Sequence, residues 1–496
     1  MTMARRRIGH SFTLVALLAG APLVAVAAGS AIILQDQTAL RAAPRDPAPQ
    51  HAVLWQGEVV EVRGERMDYL QVYDYRRERG GFVRASQVRR TTLAADEAPE
   101  LLAIVRFMRG MPGAEALGIG FVAAYLQAAP AEVLNGEEGV DALDALGTFA
   151  DRLARRASSG VVRTKTADTA LSAHLEVAAR YGVKFASIER AGRMQVCYDG
   201  DAFRRVLAMR SQAEQRARAV LTLTRRECAD PELRPSERYD LDSWRADVLD
   251  KVDVARLPGY LGNRVLMRRA DVWSSLAYQR ARRGEPAAAS AGRALDALAA
   301  VNTSELTDDD LRTYTDAAMR VNASRWAAAP APPETSRATM LVTAPGQPGE
   351  TCLLLVDAKH DAKSPLAKRC TYAVVWASSV TQNREGTALA VAVQPTDTWR
   401  ETWVFRKTTD GWRVGVLPPA STTPDVGYAE FAGWVPGGKQ MLVAREASGD
   451  GKYLRKFELL RIDTLAVERQ ASDPGLLGAF KRWQDPTWKR QTVSLR

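Results

Sequence analysis

Apolar and polar positions change rhythm several times along the chain. At the start, Arg5, Arg6 and Arg7 precede an apolar run from Phe12 to Ala28 broken only by Thr13, and Ala25-Val26-Ala27 supplies a small-x-small site. That layout predicts a secretory signal peptide over 1–28, cut near Ala27 or Ala28. An uncleaved anchor is the alternative, because the run to Leu34 is long enough to cross a bilayer of about 30 Å. Pro22 and the Ala and Gly content weaken it as a span, and no Cys near the cut offers lipid attachment. Over 31–92 the rhythm is short and two-fold: Val53–Val62 alternates around Gly57, Tyr69–Tyr75 alternates, and Gly80-Gly81-Phe82-Val83 closes the segment. Five short strands in so few residues predict a small β-barrel.

From 94 to 326 the rhythm is helical. Leu143, Leu146, Phe149 and Leu153 share one face, as do Leu101, Leu102, Val105 and Met108. A hairpin pattern around Ala191-Gly192 interrupts the helices over 183–198. Residues 327–335 are an Ala/Pro linker by composition. Beyond it, over 336–496, β-type runs recur between Gly, Pro, Asn and Asp turns, including Cys352–Val356, Ala388–Val393, Trp412–Leu417 and Phe457–Ile462. Trp376 and Trp434, 58 residues apart, each precede a turn and a strand, which suggests an internal repeat. The expected fold class is therefore multidomain α and β: a small barrel, a helical middle with one β-hairpin, and a mostly antiparallel β domain that is either blade-like or a sandwich.

Charge and cysteine count narrow the setting. The formal charge is +10 from 68 basic and 58 acidic residues, and removing the three leader arginines leaves +7. The excess is scattered Arg on helical segments, which excludes a dense nucleic-acid site. Four Cys in an exported chain predict two disulfides, and proximity favours Cys197–Cys228 and Cys352–Cys370. A straight helix between Cys197 and Cys228 would hold them about 40 Å apart, so the pair requires a reversal. Ser211-Gln-Ala-Glu214 reads as a capping box that starts a second helix, giving helices near 200–209 and 212–226.

Three segments resemble known families. Leu40-Arg41-x-x-Pro44, Gly57–Val62, Tyr69-x-x-Val72 and Gly81-Phe82-Val83 resemble the bacterial SH3 (SH3b) domain, with Tyr69 and Phe82 where that family usually has Trp. Leu276-Ala277, Gly284 and Ala294-Leu295 resemble a single tetratricopeptide helix pair. Trp434-x-Pro436-x-Gly438-Lys439 resembles a blade of TolB-like β-propellers, although 336–496 is too short to close a ring of such blades.

No constellation identifies a reaction. Gly433–Lys439 nearly spells a phosphate loop, but Gln440 lacks the hydroxyl that holds Mg²⁺ and a strand pattern follows. His51, His174 and His360 fall in three different segments, so neither a metal site nor a Ser/His/Asp triad is expected. Acid groups such as Glu137-Glu138, Asp308–Asp310 and Glu65/Asp68 sit in turn or helix-start contexts; Asp308–Asp310 suit a first helical turn. No catalytic residue, metal or cofactor is assigned. The expected ligand contacts are Trp55, Tyr69, Tyr73 and Tyr75, whose alternation places the three tyrosines on one face. The signal peptide predicts a periplasmic or secreted protein, and with the SH3b resemblance the expected function is a non-catalytic envelope protein binding peptidoglycan or an envelope partner. A cell-wall hydrolase with an unseen active site and a periplasmic structural scaffold stand as alternatives.

Overall fold

The computed structural model describes residues 29–159, 164–190, 192–330, 339–421, 425–449 and 452–491. The predicted leader and residues 331–335 of the predicted linker lie outside them. Seven strands open the described chain: β1 (Gly29–Ile33), β2 (Thr38–Arg41), β3 (Gln50–Leu54), β4 (Val59–Arg66), β5 (Tyr69–Asp74), β6 (Arg79–Arg84) and β7 (Val88–Thr91). They form one sheet in the order β3-β2-β6-β5-β4-β1-β7. Its core is Ala31, Ile33, Leu40, Leu54, Val60, Leu70, Val72, Val83 and Val88. The edges β3 and β7 do not pair with each other, so the expected barrel is not closed. The two-fold period of β1 explains where the sheet finds its other buried surface. Ala31 and Ile33 face its own core, while Ile32 points the opposite way into the core of the helical domain.

The helical region comprises α1 (Ala98–Arg109), α2 (Glu115–Ala128), α3 (Ala131–Leu134), α4 (Glu137–Ser158) and α5 (Lys165–Arg180). The hairpin β8 (Phe185–Arg190) and β9 (Arg193–Tyr198) follows. Then come α6 (Asp201–Ala208), α7 (Ala213–Leu223), α8 (Pro235–Asp250), α9 (Gly259–Arg282), α10 (Ala288–Ala299) and α11 (Asp308–Ser324). The fold-back at α6–α7 is as the cysteine spacing requires, and Cys197 and Cys228 are bonded with α-carbons 5.7 Å apart. The cap lies one residue later than the sequence suggests: the Gln215 side chain accepts from the Gln212 N–H at 2.8 Å. Thr307 caps α11, its hydroxyl accepting from Asp310 N–H, and Asp308–Asp310 occupy the first turn.

The last region holds three antiparallel meanders. β10 (Thr339–Pro345), β11 (Thr351–Asp357) and β12 (Ala367–Thr371) form the first, with Cys352 directly opposite Cys370 and bonded to it. The second is β13 (Val374–Gln382), β14 (Ala388–Thr396), β15 (Trp399–Thr408) and β16 (Gly411–Leu417). The third is β17 (Val426–Val435), β18 (Gln440–Gly449), β19 (Lys452–Arg461) and β20 (Val467–Ala471). A short parallel bridge from Trp399-Arg400 to Gly427-Tyr428 joins the last two into one sheet. The repeat is thus real at the level of meanders, but the two tryptophans are not equivalent. Trp376 pairs with Ala392 in mid-strand, whereas Trp434 lies beside its hairpin turn and donates to Thr381 Oγ1 at 3.2 Å. Two short helices, α12 (Gly478–Trp483) and α13 (Pro486–Gln491), close the third meander with Phe480 and Trp488 against Phe457. No helix among the described residues is long and apolar enough to cross a membrane.

Candidate functional site

The four aromatic residues singled out in the sequence do not form one surface. Tyr69 is buried, its hydroxyl donating to Asp46 at 2.7 Å. The alternation argument fails there because β5 is covered on both faces near its start: Tyr69, Leu70 and Val72 are all buried. Trp55 meets His174 of α5 edge-on, in a junction where His174 also contacts Asp36 at 2.8 Å and Gln56 at 3.1 Å. Only Tyr73 and Tyr75 come together, edge to face at 5.0 Å, and Tyr75 is 67 % exposed. The Arg63 guanidinium lies 3.9 Å over the Tyr73 ring, a cation–π arrangement. A hydrogen bond from Arg63, then one from the Tyr75 hydroxyl, hold the Glu61 carboxyl below its ordinary value. Arg63 on β4 and Tyr73 on β5 share a face because Glu61 pairs with Tyr73 across the ladder.

The histidines stay apart. His51 is exposed, His174 is buried in the sheet–helix junction, and His360 takes part in a turn, its N–H donating to Asp357 Oδ1 at 2.8 Å. The phosphate-loop look-alike is a turn entering β18 rather than a helix. Glu350, Cys352 and Cys370 meet, but the two sulfurs are bonded to each other, which leaves one carboxylate and no metal set.

A second feature was invisible in the sequence. A cleft of about 970 Å³ opens between the helical region and the last β region. Arg226, in the turn after α7, crosses it to Asp397 of the β14–β15 turn at 2.5 Å and reaches Asp271 of α9 at 3.5 Å. Burial opposes the Arg226 charge, but Asp397 and Asp271 outweigh it and raise its pKa. Most acids of the cleft are matched: Asp310 to Arg264 at 2.7 Å, Asp271 to Arg320 at 3.4 Å. Three arginines are not. Arg190 donates to the carbonyls of Arg226 and Ala229, Arg238 to Pro231, and Arg268 to Leu221. Among the described residues none of these three has a carboxylate oxygen within 4.0 Å. Burial, then the charges of Arg226 and Arg238, push the Arg190 pKa down, so guanidiniums crowd that end. At the other end burial pushes the Asp316 carboxyl up, and Asp425 adds to the shift. The arginines come from β8, α8 and α9, too far apart in sequence to read as a motif.

No family model, characterised protein or solved structure matches this chain.

Proposed function

We propose that this is a non-catalytic binding protein of the cell envelope, exported through its leader, whose 29–91 sheet is an SH3b-like module. The observation that carries the reading is the Tyr73–Tyr75 pair under Arg63, an exposed aromatic surface on a small antiparallel sheet. Rings of this kind stack on sugar or peptide at low entropic cost, and their hydroxyls hydrogen-bond. Two disulfides are consistent with an oxidising compartment. The helical region and the blade-like meanders then hold the module and offer further surface. Peptidoglycan is the favoured ligand, an envelope protein the alternative.

Co-sedimentation of the chain from Gly29 onward with purified sacculi tests this. Tyr73→Ala with Tyr75→Ala should lower the bound fraction about tenfold, while Trp55→Phe should leave it unchanged. Absence of sacculus binding by the wild type removes the peptidoglycan reading. Release of soluble fragments from the sacculi replaces binding with hydrolysis.

A further inference from the structure

We propose that the cleft between the helical and last β regions is a binding site for an oligoanion, seated on Arg190, Arg238 and Arg268. The inference is independent of the Tyr73–Tyr75 reading. Guanidiniums stay protonated in proteins; Arg190 and Arg238 carry their charge into the cleft with no carboxylate in ion-pair contact among the described residues, and Arg268 does so with Glu227 and Asp271 attracting it from beyond 4.0 Å. The crowding of Arg190 by Arg226 and Arg238 adds repulsion that a bound anion would relieve. Among the described residues the Nε of Arg190 is buried and has no hydrogen-bond partner, so this donor is unsatisfied. Arg226 already engages Asp397 and Asp271, so neither carboxylate forms an ion pair with Arg190, Arg238 or Arg268.

Size and layout set the ligand class. A volume of about 970 Å³ exceeds what one small ion fills and matches sites for whole small molecules. The three guanidiniums come from three elements, so one oxyanion cannot satisfy them all with planar two-point contacts. The ligand therefore bears at least two, as a polyphosphate or a polycarboxylate. Asp316 and Asp425 at the far end repel further negative charge, which sets the direction in which the ligand lies.

Calorimetric titration of the purified chain with tripolyphosphate and, separately, with citrate distinguishes the two sources. The expected result is saturable binding of one equivalent of at least one probe, weakened when salt is raised from about 50 to about 300 mM. Arg190→Gln and Arg268→Gln should each weaken binding about tenfold. Arg238→Gln serves as the variant whose folding is least at stake, because among the described residues its side chain makes one hydrogen bond, to Pro231. It should weaken binding with an unchanged melting temperature. Neither probe binding overturns the proposal, as does binding that all three variants keep at wild-type strength. Arg63→Gln, remote from the cleft, should bind the probe as the wild type does, so failure of the sacculus assay and failure here remain separate results.

Discussion

Gly57 and Gly120 meet backbone to backbone where the first sheet docks on α2. A β-carbon on Gly120 would lie 2.6 Å from the Gly57 carbonyl oxygen, and one on Gly57 would lie 2.3 Å from the Ala116 carbonyl oxygen. Gly57 also has φ +85°, and its carbonyl accepts from the Tyr181 hydroxyl at 2.6 Å. Gly57→Ala should therefore cost more than the conformational penalty alone, which is about 1 kcal/mol. Gly113, with φ +88° and nothing near its absent side chain, provides the comparison. Thermal melts of both variants should show the larger loss at position 57, by a further ~1–3 kcal/mol of backbone displacement. Equal losses would mean that the close approach relaxes freely.

The Glu430 carboxylate is buried between two arginines, Arg325 at 2.9 Å from the end of the helical region and Arg400 from β15. Burial alone would raise its pKa, but the charges of Arg325 and Arg400 and their hydrogen bonds outweigh it and hold the carboxyl below its ordinary 4.5. A depressed folded-state pKa adds stability that is present above 4.5 and is lost as pH falls below it. Glu430→Gln should cost about 3–5 kcal/mol at neutral pH by removing the carboxylate that the two buried guanidiniums share. The variant's stability should also depend less on pH below 4.5 than the wild type's, as urea titrations at neutral and acid pH would show. Parallel pH profiles would place the acid sensitivity elsewhere.

Tyr69 and Tyr75, taken together in the sequence, should separate on mutation. Tyr69→Phe removes a hydroxyl that donates to Asp46, a carboxylate open to water, so the loss should be about 1 kcal/mol. Tyr69→Ala also empties a core position and should cost about 3–5 kcal/mol. Tyr75→Ala, at an exposed site, should change stability by no more than about 0.5 kcal/mol. Denaturant midpoints for the three variants check the order.

The sequence made the changes of rhythm legible because each region buries a face with its own period. The hairpin around Gly192, the α6–α7 reversal and both cysteine pairs follow from turn residues and chain geometry. β17 was not legible: Val426–Phe431 shows no alternation, since five of its first six residues are buried and both faces are covered. The charged α8 and the first half of α9 fall in the stretch read as helical, but their bounds were not legible for a related reason. Their polar residues line the cleft or pair within it, so they break the apolar stripe on which helix reading depends. The cleft itself joins residues from Arg155 to Asp425, and only tertiary structure brings them together.

The two disulfides should differ in what their loss does. Cys197–Cys228 spans 31 residues and Cys352–Cys370 spans 18. In the chain-entropy model these closures stabilise by about 4 and about 3 kcal/mol, too close to rank by stability alone. Position separates them. Cys228 lies two residues from Arg226, and Cys197 sits on β9, whose partner strand β8 ends at Arg190. The first bridge therefore fixes two guanidiniums of the cleft, whereas the second joins β11 to β12 in another sheet. The double change Cys197→Ser with Cys228→Ser should weaken tripolyphosphate or citrate binding several-fold at a temperature where the chain remains folded. The double change Cys352→Ser with Cys370→Ser should lower the melting temperature and leave that binding intact. The opposite ranking in calorimetry would show that the cleft is held by Arg226–Asp397 and the helix packing without help from the bridge.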